Sequence, residues 1–178
     1  MTPDTVLHFW FKEITPAQWW KVDPSFDSLI AERFGALHAS AAQGECFAWR
    51  SSPQGRLAEV IVLDQFSRNL HRGTAGAFAC DAMALALAQE AVAAAVDLAL
   101  PVAERAFLYM PYMHSESRLI HVEAERLFAE RAPENLDFEM RHKAIVDRFG
   151  RYPHRNQALG RESTAEELAF LQEPGSRF

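Results

Sequence analysis

Residues 52–73 read SPQGRLAEVIVLDQFSRNLHRG, and whether this stretch is helix or strand sets the fold of the whole chain. Val60-Ile61-Val62-Leu63 has the β-branched density of a short buried strand. Against that, Leu57, Val60, Ile61, Leu63, Phe66 and Leu70 recur at the steps of one helical face, from the Ser52-Pro53 cap to Gly73. No neighbouring segment offers a strand partner, so the stretch reads as helix. The rest of the chain then follows the same rule.

Prolines supply the punctuation. Thr2-Pro3, Thr15-Pro16, Asp23-Pro24 and Ser52-Pro53 each put a capping side chain directly before a residue that has no N–H to orphan. Gly44, Gly73 and Gly150 stand where helices should stop. After Asp23, the residues Phe26, Leu29, Ile30, Phe34 and Leu37 form one apolar stripe. Phe78 to Val96 is alanine-rich and helical, and Pro101 to Met110 is a short helix stopped by Pro111. Ser117 to Arg131 and Asn135 to Phe149 are amphipathic, and capping boxes in Ser163-Thr164-Ala165-Glu166-Glu167 start a last helix. The expectation is an all-α single domain over residues 1–178, with about eight helices in antiparallel pairs.

The 178 residues carry a formal net charge of −6, with 49% apolar and 24% charged residues. That is the balance of a folded globular chain, and the acidic sign argues against nucleic acid as a partner. Asp81, Gln89, Glu90 and Asp97 interrupt the greasiest stretch, Ala75 to Leu100, so no membrane span is expected. Met1-Thr2-Pro3-Asp4 lacks the basic start of a signal peptide. Cys46 and Cys80 sit singly, as buried reduced thiols of a cytoplasmic protein would. P-loop, dinucleotide, nucleophile-elbow and zincin motifs are absent, and no cofactor or metal is expected.

Polar residues gather in three places. The first is Asp64-Gln65-Phe66-Ser67-Arg68-Asn69, where Asp64 and Arg68 are i, i+4 neighbours inside an apolar run. The second is the corner Met110-Pro111-Tyr112-Met113-His114-Ser115-Glu116, where His114 and Glu116 fit an acid–base pair or ordinary helix-end capping. His-x-Glu is too common to identify a metal site. The third is Arg148-Phe149-Gly150-Arg151-Tyr152-Pro153-His154-Arg155-Asn156, followed by Arg161. Between Arg141 and Arg161 there are six Lys or Arg against Asp147 alone, a segment of +5 in a chain whose remainder is −11. Such a strip reads as an anion site, reinforced if Pro153 starts a helix with free N–H groups. The structural alternative is that these arginines pin acids such as Asp64 and Glu116 across helices.

On these segments the chain resembles the mostly bacterial, functionally uncharacterised family called domain of unknown function 924. The resemblance runs from His8-Phe9-Trp10-Phe11 through the Asp64 and His114 segments, with Phe78 and Asp81, to Leu159-Gly160-Arg161 and Ser163-Thr164. It departs at Ser67 and Ala165, where the family pattern usually has proline. The resemblance implies a helical fold similar to tetratricopeptide-type superhelices and implies no activity. Two functions remain open. One is a scaffold whose concavity binds an anionic small molecule or peptide carboxylate through Arg151, Arg155 and Arg161. Asp64 and Glu116 would orient those arginines, His154 and Asn156 would add directional hydrogen bonds, and Arg68, Asn69, His114 and Arg148 would join the lining. The other is a hydrolase- or lyase-type enzyme on an anionic substrate, with His154 or His114 as general base, Glu116 as a further candidate, and arginines stabilising negative charge.

Overall fold

The computed structural model describes residues 1–176, and among them every regular element is helical. Helix α1 (Pro3–His8) runs into a π-helical turn, Phe9–Glu13, and is followed by α2 (Pro16–Trp20) and α3 (Pro24–Ala42). The deciding stretch is one rod: α4 (Pro53–Ile61), a π-helical turn at Val62–Phe66, and α5 (Ser67–Leu70). Then come α6 (Asp81–Ala93), α7 (Val102–Met113), α8 (Arg118–Arg131), α9 (Leu136–Phe149) and α10 (Ala165–Phe170). The count exceeds the expected eight because α2 and α5 are only five and four residues long.

Three of the four proline caps form as read, while the Thr15 hydroxyl donates to Gln18 Oε1 at 3.0 Å. Asp23 Oδ1 accepts from the Ser25 N–H at 2.9 Å, Ser52 Oγ from the Gly55 N–H at 3.0 Å, and Thr2 Oγ1 from the Thr5 N–H at 3.4 Å. Each such cap contributes about 1 kcal/mol. Thr164 and Glu167 close the capping box of α10, while Ser163 Oγ instead receives the Asn156 amide at 3.0 Å. Gly150 ends α9 at φ +70, a left-handed conformation that favours glycine.

Three local expectations change. The stripe of α3 is Phe26, Ile30, Phe34 and Ala41 with Leu37 packed against the core beside them, while Leu29 faces outward. Pro111 does not stop α7, which continues to Met113. The proline deprives the Phe107 carbonyl of its usual N–H, a loss of about 3 kcal/mol in an isolated helix. Here the burial of every residue from Ala106 to Met113 offsets it. Pro153 begins no helix either, only a three-residue 3₁₀ turn ending at Arg155.

The rod of α4 is buried on all sides from Leu57 to Phe66, and α1, α6 and α7 pack around it. Helix α3 closes over the π turn and α5, while α7, α8 and α9 stack in sequence, each on the last. The residues after α9 fold back and put Tyr152 with Ile145 and Val146 in a second small cluster. Ala75–Ala93 reaches a mean hydropathy of 1.2 over 19 residues, enough for a membrane span by length and composition alone. In the fold, Ala84, Leu87, Ala88 and Ala91 of this stretch face the core, and Asp81 is ion-paired. Both cysteines are buried free thiols.

Candidate functional site

The three polar segments meet. The π turn carries Asp64 into the interior, fully buried, where Oδ1 lies 2.8 Å from His114 Nδ1 and Oδ2 accepts from Gln65 Nε2 at 2.6 Å. Arg68, one turn on, lies 3.4 Å from Asp64 and forks onto Asp81 with bonds of 2.8 and 3.1 Å. Arg155 donates to Asp81 Oδ2 at 3.1 Å and to the His114 carbonyl at 2.9 Å. Its guanidinium lies between the rings of Phe78 and Tyr152, 4.6 and 4.5 Å from their centroids. Asp64, Arg68, Asp81, His114 and Arg155 are thus one connected group.

The corner after α7 is held from three directions. Three successive carbonyls at this helix end lack intrahelical partners. Tyr152 Oη donates to Met113 O at 2.5 Å, Arg155 to His114 O, and His121 Nε2 to Ser115 O at 2.8 Å. Glu116 accepts the Tyr152 N–H at 2.7 Å and a two-pronged bond from Arg161 at 2.6 and 2.8 Å. A corner fixed this way keeps its side chains oriented before any ligand arrives.

This group opens on a cavity of about 340 Å³, lined by Asp81, His114, Ser115, Glu116 and Arg155 on its polar side. Phe78, Ala82, Leu85, Pro111 and Leu159 line the apolar side. Its size and mixed wall are those of small-molecule sites. Burial raises the Asp64 carboxyl, but Arg68 and His114 outweigh that and hold it below the usual carboxylate range. Burial pushes His114 down, against the pull of Asp64, so the ring is neutral at pH 7. Nδ1–H then donates to Asp64, and Nε2 keeps its lone pair with no partner among the described residues. Burial, with Arg68 beside it, also lowers Arg155 from the ordinary arginine value.

Other expected site residues lie elsewhere. Asn69 bonds Asp27 at 2.8 Å beside Arg72, on the α3 side. Arg148 pairs with Glu166 and packs on Phe149 and Phe170. Arg151 forks onto Glu167 at 2.6 and 2.8 Å, Asn156 reaches Glu167 and Ser163, and Arg161 reaches the cavity only through Glu116. His154 lines a smaller hollow with Pro153, Gln157, Ser163 and Leu168.

The apparent charge surplus of residues 141–161 does not survive folding. Arg141, Lys143, Arg148, Arg151, Arg155 and Arg161 each stand within 4 Å of a carboxylate. Five of the six partners (Asp137, Glu166, Glu167, Asp81 and Glu116) lie outside the counted window, which is why a local tally missed them. Among the described residues no group of three or more His, Cys, Asp or Glu is placed to hold a metal ion.

Sequence reasoning also passed over Asp81, Tyr152, His121 and Glu139 as site residues. Asp81 looked like an interruption of an apolar stretch, and its position at the first turn of α6 was the available signal. His121 shares a helical stripe with Ala124 and Phe128, and Glu139 with His142 and Val146, so their spacing marked them as buried.

Residues 6–175 match the family described as "Bacterial protein of unknown function (DUF924)". No curated protein matches the chain. Among solved structures, a protein of unknown function from Agrobacterium tumefaciens is 36% identical, with a TM-score of 0.90 over 96% of both chains. The chain therefore belongs to the bacterial family of unknown function DUF924.

Proposed function

We propose that the cavity beside α6 and α7 is a binding site for a small carboxylate-bearing molecule, or the carboxylate of a peptide, in the bacterial cytoplasm. The observation that carries this reading is Arg155. It lines the cavity, is only 6% exposed, and uses two of its five N–H donors, on Asp81 and the His114 carbonyl. A ligand oxygen in the cavity can accept from a further N–H of this buried cation. Arg151 and Arg161, each already forked onto a carboxylate, serve as braces for the loop that presents Arg155. The net charge of −6 speaks against nucleic acid.

Native mass spectrometry of the purified protein, with thermal shifts in a panel of small carboxylates, tests the reading. A retained or added carboxylate should raise the midpoint in the wild type and much less in Arg155→Lys, whose point charge cannot reproduce the planar fork of guanidinium donors. If no carboxylate is retained and none shifts the midpoint, the reading fails.

The Asp64–His114 pair favours a second reading. A buried carboxylate that fixes a neutral imidazole, leaving Nε2 on a cavity wall, is the arrangement of a general base. Under it, His114→Phe abolishes turnover of a hydrolase or lyase substrate while retaining binding through Arg155. Turnover that persists in His114→Phe would exclude it.

A further inference from the structure

The charges around the cavity cancel. Arg68, Arg155 and Arg161 face Asp64, Asp81 and Glu116, three of each sign. A bare anion entering the cavity meets Asp81 and Glu116 on the same wall as Arg155 and gains little from the surrounding field. Yet groups of both kinds retain bonding capacity. A carboxylate accepts about four hydrogen bonds. Asp81 accepts three, two from Arg68 and one from Arg155, and Glu116 accepts three, from the Tyr152 N–H and Arg161. Their side chains are 19% and 25% exposed, so the spare lone pairs are within reach. His114 Nε2 is a third open acceptor. Arg155 supplies the matching donors: two of its five N–H groups are used, on Asp81 and the His114 carbonyl, and its guanidinium packs on the rings of Phe78 and Tyr152.

We propose that the ligand is a zwitterion with an apolar body, of the class of the aliphatic α-amino acids. Its carboxylate binds Arg155, its ammonium donates to His114 Nε2 and the spare lone pairs of Asp81 and Glu116, and its side chain packs on Leu85, Pro111 and Leu159. This rests on the ligand-site reading of the cavity given above. A molecule of zero net charge suits a site whose charges cancel once Arg68, Asp64 and Arg161 behind the wall are counted, and one small skeleton meets both kinds of open group. A plain carboxylate leaves the acceptors without donors, and a plain amine leaves the open donors of Arg155 without an acceptor. Sites built around buried hydrogen-bonding groups discriminate strongly against ligands that lack one of the partners.

Isothermal titration calorimetry of the full chain against three molecules of one skeleton tests this. They are L-leucine, 4-methylpentanoate (no amine) and 3-methylbutylamine (no carboxylate), at matched ionic strength. Leucine should bind about tenfold or more tighter than either fragment. Leu85→Trp, which fills the apolar end of the cavity, should abolish leucine binding without unfolding the protein. Equal binding of leucine and 4-methylpentanoate overturns the zwitterion and leaves the carboxylate site standing. Preference for the amine, or leucine binding untouched by Leu85→Trp, overturns the proposal as well. If none of the three binds, it falls together with the reading beneath it.

Discussion

At Glu139 the hydrogen bonds count a proton. His121 Nε2 faces the Ser115 carbonyl and the Tyr152 hydroxyl, whose own proton goes to Met113 O, so Nε2 must carry a hydrogen. Nδ1 lies 2.7 Å from Glu139 Oε1, and a second proton has to sit between them. Burial pushes the Glu139 carboxyl up, against the pull of His121. A folded-state value raised above the unfolded one gives stability that is complete below about pH 4.3 and lost as pH rises through the folded value. Glu139→Gln, whose amide donates without titrating, should therefore gain on the wild type as pH rises, whereas Glu139→Ala is destabilised throughout. His142 works with the opposite sign. Burial holds it down to about 3, so its contribution is present above about pH 6.5 and lost as pH falls toward 3. In urea titrations between pH 4 and 7, His142→Leu should show a shallower acid loss than the wild type; an unchanged slope would refute the assignment. Asp64 depends on its partners in the same way. It is fully buried with Arg68, His114 and Gln65 as partners, so Asp64→Ala should lower unfolding free energy by about 3–5 kcal/mol.

Among the elements, the rod of α4 and α5 shows how tightly local sequence is tied to position. A Cβ on Gly55 would stand 1.9 Å from the Trp49 carbonyl oxygen, backbone that does not yield cheaply. Gly55→Ala should thus cost at least about 1–3 kcal/mol in chemical denaturation even though alanine is the better helix former. The π turn at Val62–Phe66 is the other particular of this rod. Such turns cluster at functional sites, and this one carries Asp64 and Gln65. Ser67, at its end, donates to the Leu63 carbonyl at 2.6 Å and meets His38 Nε2 at 2.7 Å. The helical period of residues 52–73 was plain in the sequence, because apolar spacing reports which face is buried. The π turn was not, since one extra residue per turn leaves an already continuous apolar run looking the same. Pro111 was misread for a related reason: its local cost is visible in sequence, and the burial that offsets it is not.

Over the whole molecule, charge pairing is the feature with the clearest consequence. Because each basic residue from 141 to 161 has a carboxylate within 4 Å, inorganic phosphate should raise the melting temperature no more than sodium chloride at equal ionic strength. A specific phosphate shift, lost in Arg155→Ala, would contradict that. The all-helical class, the proline caps, the glycine stops and the family were readable from the chain alone. Each depends on interactions within a few residues, or on motifs copied along the sequence, and both survive without knowledge of distant neighbours. The convergence of the Asp64, His114 and Arg155 segments was also anticipated, since buried charges of opposite sign need one another. Which acid meets which arginine was settled by packing. Asp81 lies 74 positions from Arg155 and Glu116 lies 45 from Arg161, and a local count of charge contains no term for such distances. All six basic residues of the strip stand beside carboxylates, and of the six Arg155 is the one that also lines the cavity.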